Sequence, residues 1–392
     1  MRVARVITRL NRGGPARTLL AVEPLLAARG VETVVMTGVP EPGEDDLVEE
    51  FVAAGVKVVR LPELRRCVRP FGDIAARRAL ERELAAFAPD LIHSHTFKAG
   101  LLARTARIDR DVRRVHTFHG HLFRGAFPRP IGSAMAWLER RLARCTDRFI
   151  AVSEQVRREL CEEWRVAPRD RVDVVPGVLL PELAAKATPA ERAAARARLL
   201  PAVGPWIGTL ARLTRIKAPD FFLDVAQAVR AIRPDARFVW IGDGDARARF
   251  LAEIARRRLS ETVRFVGWQS DVRGWHLALD VELLLSDQEG LPLSLLEATA
   301  LEVPIVASAV GGVADLVRDR IDGRLVAPRA LHAAVAAIVA LLERPLPRRT
   351  APPLRGLSPA EHAGQLHALY DRTLAQPPAE SRGRFAGHLE PR

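Results

Sequence analysis

The sequence predicts an α/β fold of two doubly wound, Rossmann-like domains that face each other across a cleft. Three observations point there. The chain has 392 residues, too many for one compact domain and suited to two. Short apolar runs alternate with longer amphipathic ones, the pattern of βα units on a parallel sheet. That pattern occurs twice, on either side of a proline-bearing interval with no strand signal.

The first series opens with a strand at residues 4–8, a turn at Arg12-Gly13-Gly14-Pro15 and a helix at 16–28. Strands follow at 31–37 and 56–61, then a long amphipathic helix at 69–87 closed by Ala88-Pro89-Asp90. Strands at 91–95, 112–118, 148–152 and 172–176 complete a domain expected to span 1–180. Residues 181–205 carry four prolines and read as a linker holding a short Ala/Arg helix. The second series, expected over 206–356, has strands at 206–210, 237–241, 262–267, 281–286 and 304–308. Its helices are expected at 221–232, 246–258, 293–301 and 331–342. A last amphipathic helix within 357–375 is expected to pack back on the first domain, ahead of a polar tail at 376–392.

Composition narrows the function. Hydrophobic residues make up 48% and charged residues 27%, which builds real cores and rules out a disordered or disulfide-stapled chain. Three separated cysteines, Cys67, Cys145 and Cys161, suit a reducing compartment and offer no thiol zinc site. No charge-free apolar run reaches about 18 residues. The N-terminus carries arginines where a signal peptide needs an apolar core, so a cytoplasmic location is expected. The net charge of +13 rests on 56 Arg and four Lys. A GC-rich genome produces such Arg- and Ala-rich chains without selection for function; an anionic membrane surface or an anionic ligand is the functional alternative. Nucleic acid is disfavoured, because with 5% aromatics and one Tyr a base-stacking platform has little to build from.

Two clusters carry candidate chemistry. Glu289-Gly290-Leu291-Pro292-Leu293-Ser294-Leu295-Leu296-Glu297 follows an apolar strand and opens a helix, with Pro292 suited to its first turn. Ligands of open α/β sheets bind at that strand edge, and the N–H groups of Leu293 and Ser294 are free to bind an anion. Two carboxylates beside an anion site suit a sugar nucleotide; a helix cap with a solvated Glu is the plain structural reading. The second cluster is the loop 208–217, where Arg212 and Lys217 can clamp a diphosphate. With four lysines in the chain, Lys217 is not background. Glycine turns after strands at Gly13-Gly14, Gly242-Asp243-Gly244 and Gly311-Gly312 allow close approach to a ligand. No GxxxxGK[ST] loop is present.

Five histidines, His93, His95, His116, His119 and His121, fall within 29 residues. They read as sugar or phosphate contacts, as packing, or as a metal site, the last opposed by the absence of a neighbouring Asp or Glu. Residues 122–144 mix Phe123, Phe127, Trp137 and Leu138 with five arginines. That stretch suits either an anionic bilayer or a core-striped helix with a basic outer face.

Taken together, the runs RLNRGGPARTLL, PDLIHSHTFKAGLLAR, HTFHGH, DRFIAVSEQVRREL, GTLARLTRIKAPD, WIGDGDAR, VRFVGW, EGLPLSLLEA and PIVASAVGGVADLV resemble the retaining GT-B glycosyltransferases of family 4, of the bacterial polysaccharide-assembly type. The likeness runs from about residue 3 to 330. It implies transfer of a hexosyl-type group from a UDP- or GDP-linked donor to an acceptor hydroxyl, with retention of configuration. The implied acceptor is a lipid-linked or oligosaccharide intermediate, and the basic balance adds peripheral association with the inner membrane face. No metal or other cofactor is implied. By resemblance, Arg212 and Lys217 fall on the donor diphosphate, Glu297 on the ribose and Glu289 on the donor sugar near the reacting carbon. Gly13 and Gly14 lie near the phosphates, Gly290, Leu291 and Leu293 bind the donor, and His119 contacts the donor sugar. Two departures stand out: the usual proline-asparagine-glycine-valine-aspartate run is shortened to Pro176-Gly177-Val178-Leu179, and the glycine expected after Lys217 is Ala218. A same-fold epimerase or phosphorylase, a non-catalytic sugar-nucleotide binder and a histidine-based metallohydrolase are the rival readings.

Overall fold

A computed structural model describes residues 1–41, 44–120, 129–200, 203–344 and 356–377. The chain divides into two units, one formed by Met1–Val178 with the residues from Leu357 onward, the other by Leu179–Gly356. Each is built on an all-parallel sheet.

The N-terminal unit has seven strands: β1 (Arg2–Ile7), β2 (Glu32–Thr37), β3 (Val58–Arg60), β4 (Leu91–His95), β5 (Arg113–Phe118), β6 (Arg148–Ala151) and β7 (Val172–Val174), in the spatial order β3-β2-β1-β4-β5-β6-β7. The C-terminal unit repeats the scheme with six: β8 (Trp206–Leu210), β9 (Arg237–Ile241), β10 (Val263–Gly267), β11 (Val281–Leu284), β12 (Ile305–Ser308) and β13 (Gly323–Val326), in the order β10-β9-β8-β11-β12-β13. Parallel strands covered on both faces lose the apolar–polar alternation, and β8 is accordingly buried along its whole length. In both sheets the order reverses beside the first strand, between β1 and β4 and between β8 and β11. Such a reversal leaves a crevice at the strands' C-terminal ends, where ligands of open α/β sheets bind.

Local sequence explains the helix starts. Thr188 and Glu191, like Ser358 and Glu361, form capping boxes with Pro189 and Pro359 at the first helical position. The second box launches helix Pro359–Ala375, which packs on helix Gly14–Ala27 of the N-terminal unit and buries Leu366, Leu369 and Tyr370.

Two expectations need correction. Residues 181–205 are not a linker. They carry helices Pro181–Ala184 and Pro189–Leu199, and Leu183, Ala195 and Leu200 are buried with Trp206 and Trp275 in the C-terminal unit's core. Arg196 fixes the second helix by donating to the Ala278 carbonyl and to Asp280, both at 2.8 Å. The long apolar faces that define strands elsewhere are replaced here by alanines, which hid the packing. Strand β13 was also missed: Gly-Arg-Leu-Val is short, and as an edge strand it alternates weakly.

Ala218, where glycine was expected, sits in the left-handed region at φ 51° and is fully buried. An L-residue pays about 1–2 kcal/mol for that conformation, offset in part by glycine's larger unfolded-state entropy. Ala218→Gly is therefore expected to raise stability by about 0.5–1 kcal/mol, read as a higher midpoint in thermal unfolding.

Candidate active site

The C-terminal unit brings two predicted clusters together at its strand-order reversal. The loop after β8 ends in a short 3₁₀ turn, Arg215–Lys217, and the loop after the adjacent β11 carries Glu289. Lys217 Nζ donates to Glu289 Oε1, and the Ser286 hydroxyl donates to the same oxygen at 2.6 Å. Glu289 is buried and Lys217 half-buried, so the pair lies in a partly dried environment.

The loops are held in register from below. The Asp287 N–H donates to the Ile216 carbonyl at 2.9 Å. Arg329, following β13, forks onto Asp287 at 2.7 and 2.6 Å and reaches Asp220 at 2.7 Å. The Asp287 and Asp220 carboxylates beside Arg329 raise its pKa above the ordinary guanidinium value.

Arg212 lies on the same loop, half-buried between Ala211 and Leu213. Their N–H groups donate to the Ile241 and Asp243 carbonyls at 3.0 and 2.9 Å. This explains the Gly242-Asp243-Gly244 turn: a Cβ at Gly242 would stand 2.1 Å from the Ala211 carbonyl oxygen, and one at Gly244 2.4 Å from that of Leu213. Those two glycines serve the close approach of one loop to another. Gly13 differs. It caps helix Gly14–Ala27, and a Cβ there would meet nothing nearer than 3.6 Å, so internal packing does not demand glycine.

Gly290 accepts from the Gly312 N–H at 2.8 Å, joining two of the glycine-bearing loops, while Leu291 and Leu293 pack against the unit's core. Helix Leu293–Ala300 has Pro292 as its N-cap residue, and its first intrahelical bond runs from Leu296 to Pro292. Glu297, on that helix, is buried with Oε2 3.2 Å from His276 Nε2.

His276 was not singled out by sequence. Its other ring nitrogen, Nδ1, lies 2.8 Å from Glu282 Oε2, and all three side chains are buried. A carboxylate only accepts, so both imidazole nitrogens donate and the ring is cationic. Burial alone would lower its pKa; the Glu282 and Glu297 carboxylates outweigh burial and push it up to about 10. Burial pushes the Glu282 carboxyl upward, opposed by His276. A glutamate inside the apolar run Val-Glu-Leu-Leu was the available signal, since a buried carboxylate requires a partner.

In the N-terminal unit the histidines form a polar core. His93 and His95 lie on one face of β4 with stacked rings 4.3 Å apart. His119 follows β5, half-buried, with Nε2 2.9 Å from His95 Nδ1. His116 points elsewhere, to the Ser94 hydroxyl at 2.9 Å. His121 lies outside the described residues, as do Phe123 and Phe127. Burial, followed by the Arg5 guanidinium, lowers His119 to about 3 and holds His93 well below the usual range. For His95, burial comes first, then His93 and Arg5. A fixed guanidinium among these rings opposes a bound cation, and among the described residues no group of three or more His, Cys, Asp or Glu is arranged to hold a metal.

The chain matches family models in two blocks: a glycosyl transferase 4-like domain over 13–177 and glycosyl transferases group 1 over 204–344. A D-inositol 3-phosphate glycosyltransferase of Salinispora arenicola is 32% identical over 345 residues, 81% of this chain and 76% of that protein. The chain belongs to the family 4 glycosyltransferases. This glycosyltransferase is also 27% identical, over 308 residues, to the UDP-Gal:alpha-D-GlcNAc-diphosphoundecaprenol alpha-1,3-galactosyltransferase of Escherichia coli, covering 76% of this chain and 77% of that one. Anabaena HepE, solved with UDP and glucose, superposes with a TM-score of 0.73 at 17% identity, covering 95% of this chain and 99% of that one. The glycosyltransferase thus has the GT-B fold and transfers a sugar from a nucleotide-sugar donor.

Proposed function

We propose that the glycosyltransferase moves a hexosyl group from a UDP-sugar to a hydroxyl of a lipid-linked glycan intermediate, retaining anomeric configuration and using no metal. The observation that carries this reading is the Lys217–Glu289 pair on adjacent loops at the β8/β11 reversal. With no ligand, Lys217 neutralises Glu289. A bound diphosphate, carrying more charge, draws the ammonium to itself and leaves Glu289, still held by Ser286, facing the sugar. Lys217 and Arg212 then stabilise the negative charge that grows on the leaving diphosphate, the task a divalent ion performs elsewhere. Glu297, oriented by His276, binds the ribose. Gly13 and Gly14 lie near the phosphates, Gly290, Leu291 and Leu293 bind the donor, and His119 contacts a sugar hydroxyl. Retention and the lipid-linked acceptor rest on family membership and on the E. coli relative's substrates.

Calorimetric titration of UDP, GDP and ADP into wild type and into Arg212→Ala/Lys217→Ala tests the donor site. UDP is expected to bind wild type and to lose at least tenfold in affinity in the variant, each charge-assisted contact being worth about 1.5–3 kcal/mol. No binding of any nucleotide to wild type, or equal binding by both proteins, overturns the reading.

A membrane-borne acceptor needs a docking surface, and the described part of 122–144 offers a core-striped helix whose outer face carries Ile131 and Trp137, 48% and 52% exposed, beside Arg140 and Arg141. On helix Arg129–Leu142, Ala136, Glu139 and Leu142 are buried, and Glu139 pairs with the buried Arg104 at 2.7 and 2.8 Å. A second surface, with more exposed apolar side chains, lies at the start of helix Pro70–Phe87. There Val68, Phe71 and Ile74 are 80%, 89% and 52% exposed, beside the exposed Arg66 and Arg69. Apolar side chains flanked by arginines match an anionic bilayer. Val68→Ser/Phe71→Ser is expected to cut vesicle flotation on phosphatidylglycerol-containing liposomes about tenfold. Wild-type flotation with no preference for anionic lipid would count against membrane docking. Among the described residues no helix is long and apolar enough to cross a membrane.

A further inference from the structure

From the hydrogen-bond chain that ends at His119, we infer that Arg5 and His95 are positioning residues that hold the His119 ring with its proton on Nδ1. The inference rests on the proposed contact between His119 and a sugar hydroxyl. Its starting point is that a guanidinium only donates. Arg5, buried on β1, is ion-paired with Glu23 of helix Gly14–Ala27, whose Oε1 lies 3.2 Å from Arg5 Nη1. Arg5 Nη2 lies 3.2 Å from His95 Nε2, so that nitrogen must accept. A neutral imidazole that accepts at one nitrogen donates at the other. His95 Nδ1–H therefore donates to His119 Nε2, 2.9 Å away. His119 Nε2 is thereby an acceptor, and the ring proton sits on Nδ1.

A parallel branch fixes the neighbouring ring in the same manner. Arg5 Nη1 donates to the Tyr370 hydroxyl at 2.8 Å, Tyr370 donates to His93 Nδ1 at 2.7 Å, and His93 Nε2–H donates to Thr117 Oγ1 at 2.6 Å. Two stacked imidazoles are thus ordered by one cation. Among the described residues the groups that act on His119 are Arg5, His93, His95, His116 and His362, none of them an anion. The nearby Glu23 pairs with Arg5. Burial and the Arg5 guanidinium therefore keep His119 neutral.

The consequence is chemical. Among the described residues Nδ1 of His119 has no protein partner. Its N–H is offered outward as a neutral donor to a sugar hydroxyl oxygen, and it neither gains nor loses a proton across the neutral range. A freely rotating histidine would present an acceptor part of the time and a cation at mildly acidic pH. Backbone strain marks the same spot: Thr96, directly after His95, is held at φ 64°, ψ 155°, a region that non-glycine residues rarely adopt.

Ring nitrogen-15 NMR on histidine-labelled full-length protein tests this without any ligand. Wild type is expected to show the Nδ1–H tautomer at His119, unchanged from pH 5.5 to 8. His95→Gln keeps an oxygen to accept from Arg5 and an amide N–H to donate to His119, and is expected to preserve the pattern. His95→Leu breaks the chain and is expected to give mixed tautomers. It should also reduce the affinity of UDP-galactose relative to UDP by about three- to tenfold, the worth of one hydrogen bond. An Nε2–H tautomer in wild type, or an unaltered His119 pattern in His95→Leu, overturns the inference. His119→Ala separates it from the functional reading: an unchanged preference for UDP-galactose over UDP there removes the sugar contact, while the tautomer result stands on the spectrum alone.

Discussion

Replacing Lys217 by methionine is expected to lower kcat for sugar transfer by about 10²–10³-fold, with a smaller loss of UDP affinity. The split follows from where charge develops. A nucleotide-sugar ground state already carries a diphosphate that Lys217 contacts, but breaking the glycosidic bond adds negative charge to the leaving oxygen. A preorganised ammonium in a partly dried site is worth most at that moment. Methionine matches the length of the lysine stem and keeps its packing, so the change isolates the charge. It also leaves the buried Glu289 with the Ser286 hydroxyl and without its cation, so the thermal midpoint should be recorded alongside. Adding Glu289→Gln repairs that imbalance without restoring turnover. Single-turnover kinetics decide the matter: an unchanged kcat in Lys217→Met means the leaving diphosphate does not rest on this lysine.

The second large effect belongs to His276. His276→Leu strands two buried carboxylates, Glu282 and Glu297, and is expected to cost the C-terminal unit about 3–5 kcal/mol of stability. His276→Leu/Glu282→Leu is expected to recover only part of that loss, since it removes one of the two stranded carboxylates and leaves the buried Glu297 without its cation. The pH dependence has a definite sign. The folded-state pKa of His276, pushed up to about 10, lies above the ordinary 6.5. Its stabilisation is therefore complete below pH 6.5 and lost progressively as pH rises toward 10. Glu282, raised by burial, acts in the same sense.

The N-terminal unit behaves oppositely. Burial lowers His93, His95, His116, His119 and His362, so their contribution is present above pH 6.5 and lost as pH falls. Hydrogen exchange should accordingly show the N-terminal sheet loosening first in acid and the C-terminal sheet first in alkali. Identical acid and alkaline profiles for the two units would remove this account of the buried charges.

What could be read in the chain and what could not divides along a physical line. Periodicity, turn residues and strand-edge motifs are local, and they were sufficient for two Rossmann-like domains, for the family and for the loops that carry Lys217 and Glu289. They failed where alanine replaced larger apolar residues, as at 181–205, and where an edge strand was short, as at β13. Partnership between distant residues is not local at all. Arg5 lies 365 residues from Tyr370, and their bond exists because the C-terminal helix packs on helix Gly14–Ala27. His276 looked like one more histidine on a short helix until β11 placed Glu282 against it.

By itself, then, the sequence determined which residue types stand at each strand edge, because βα periodicity alone sets that. The tertiary structure decided their chemical state: which carboxylate neutralises Lys217, why His276 is charged, and why His119 is neutral. Protonation and orientation depend on burial and on partners brought from far along the chain, and only folding supplies both.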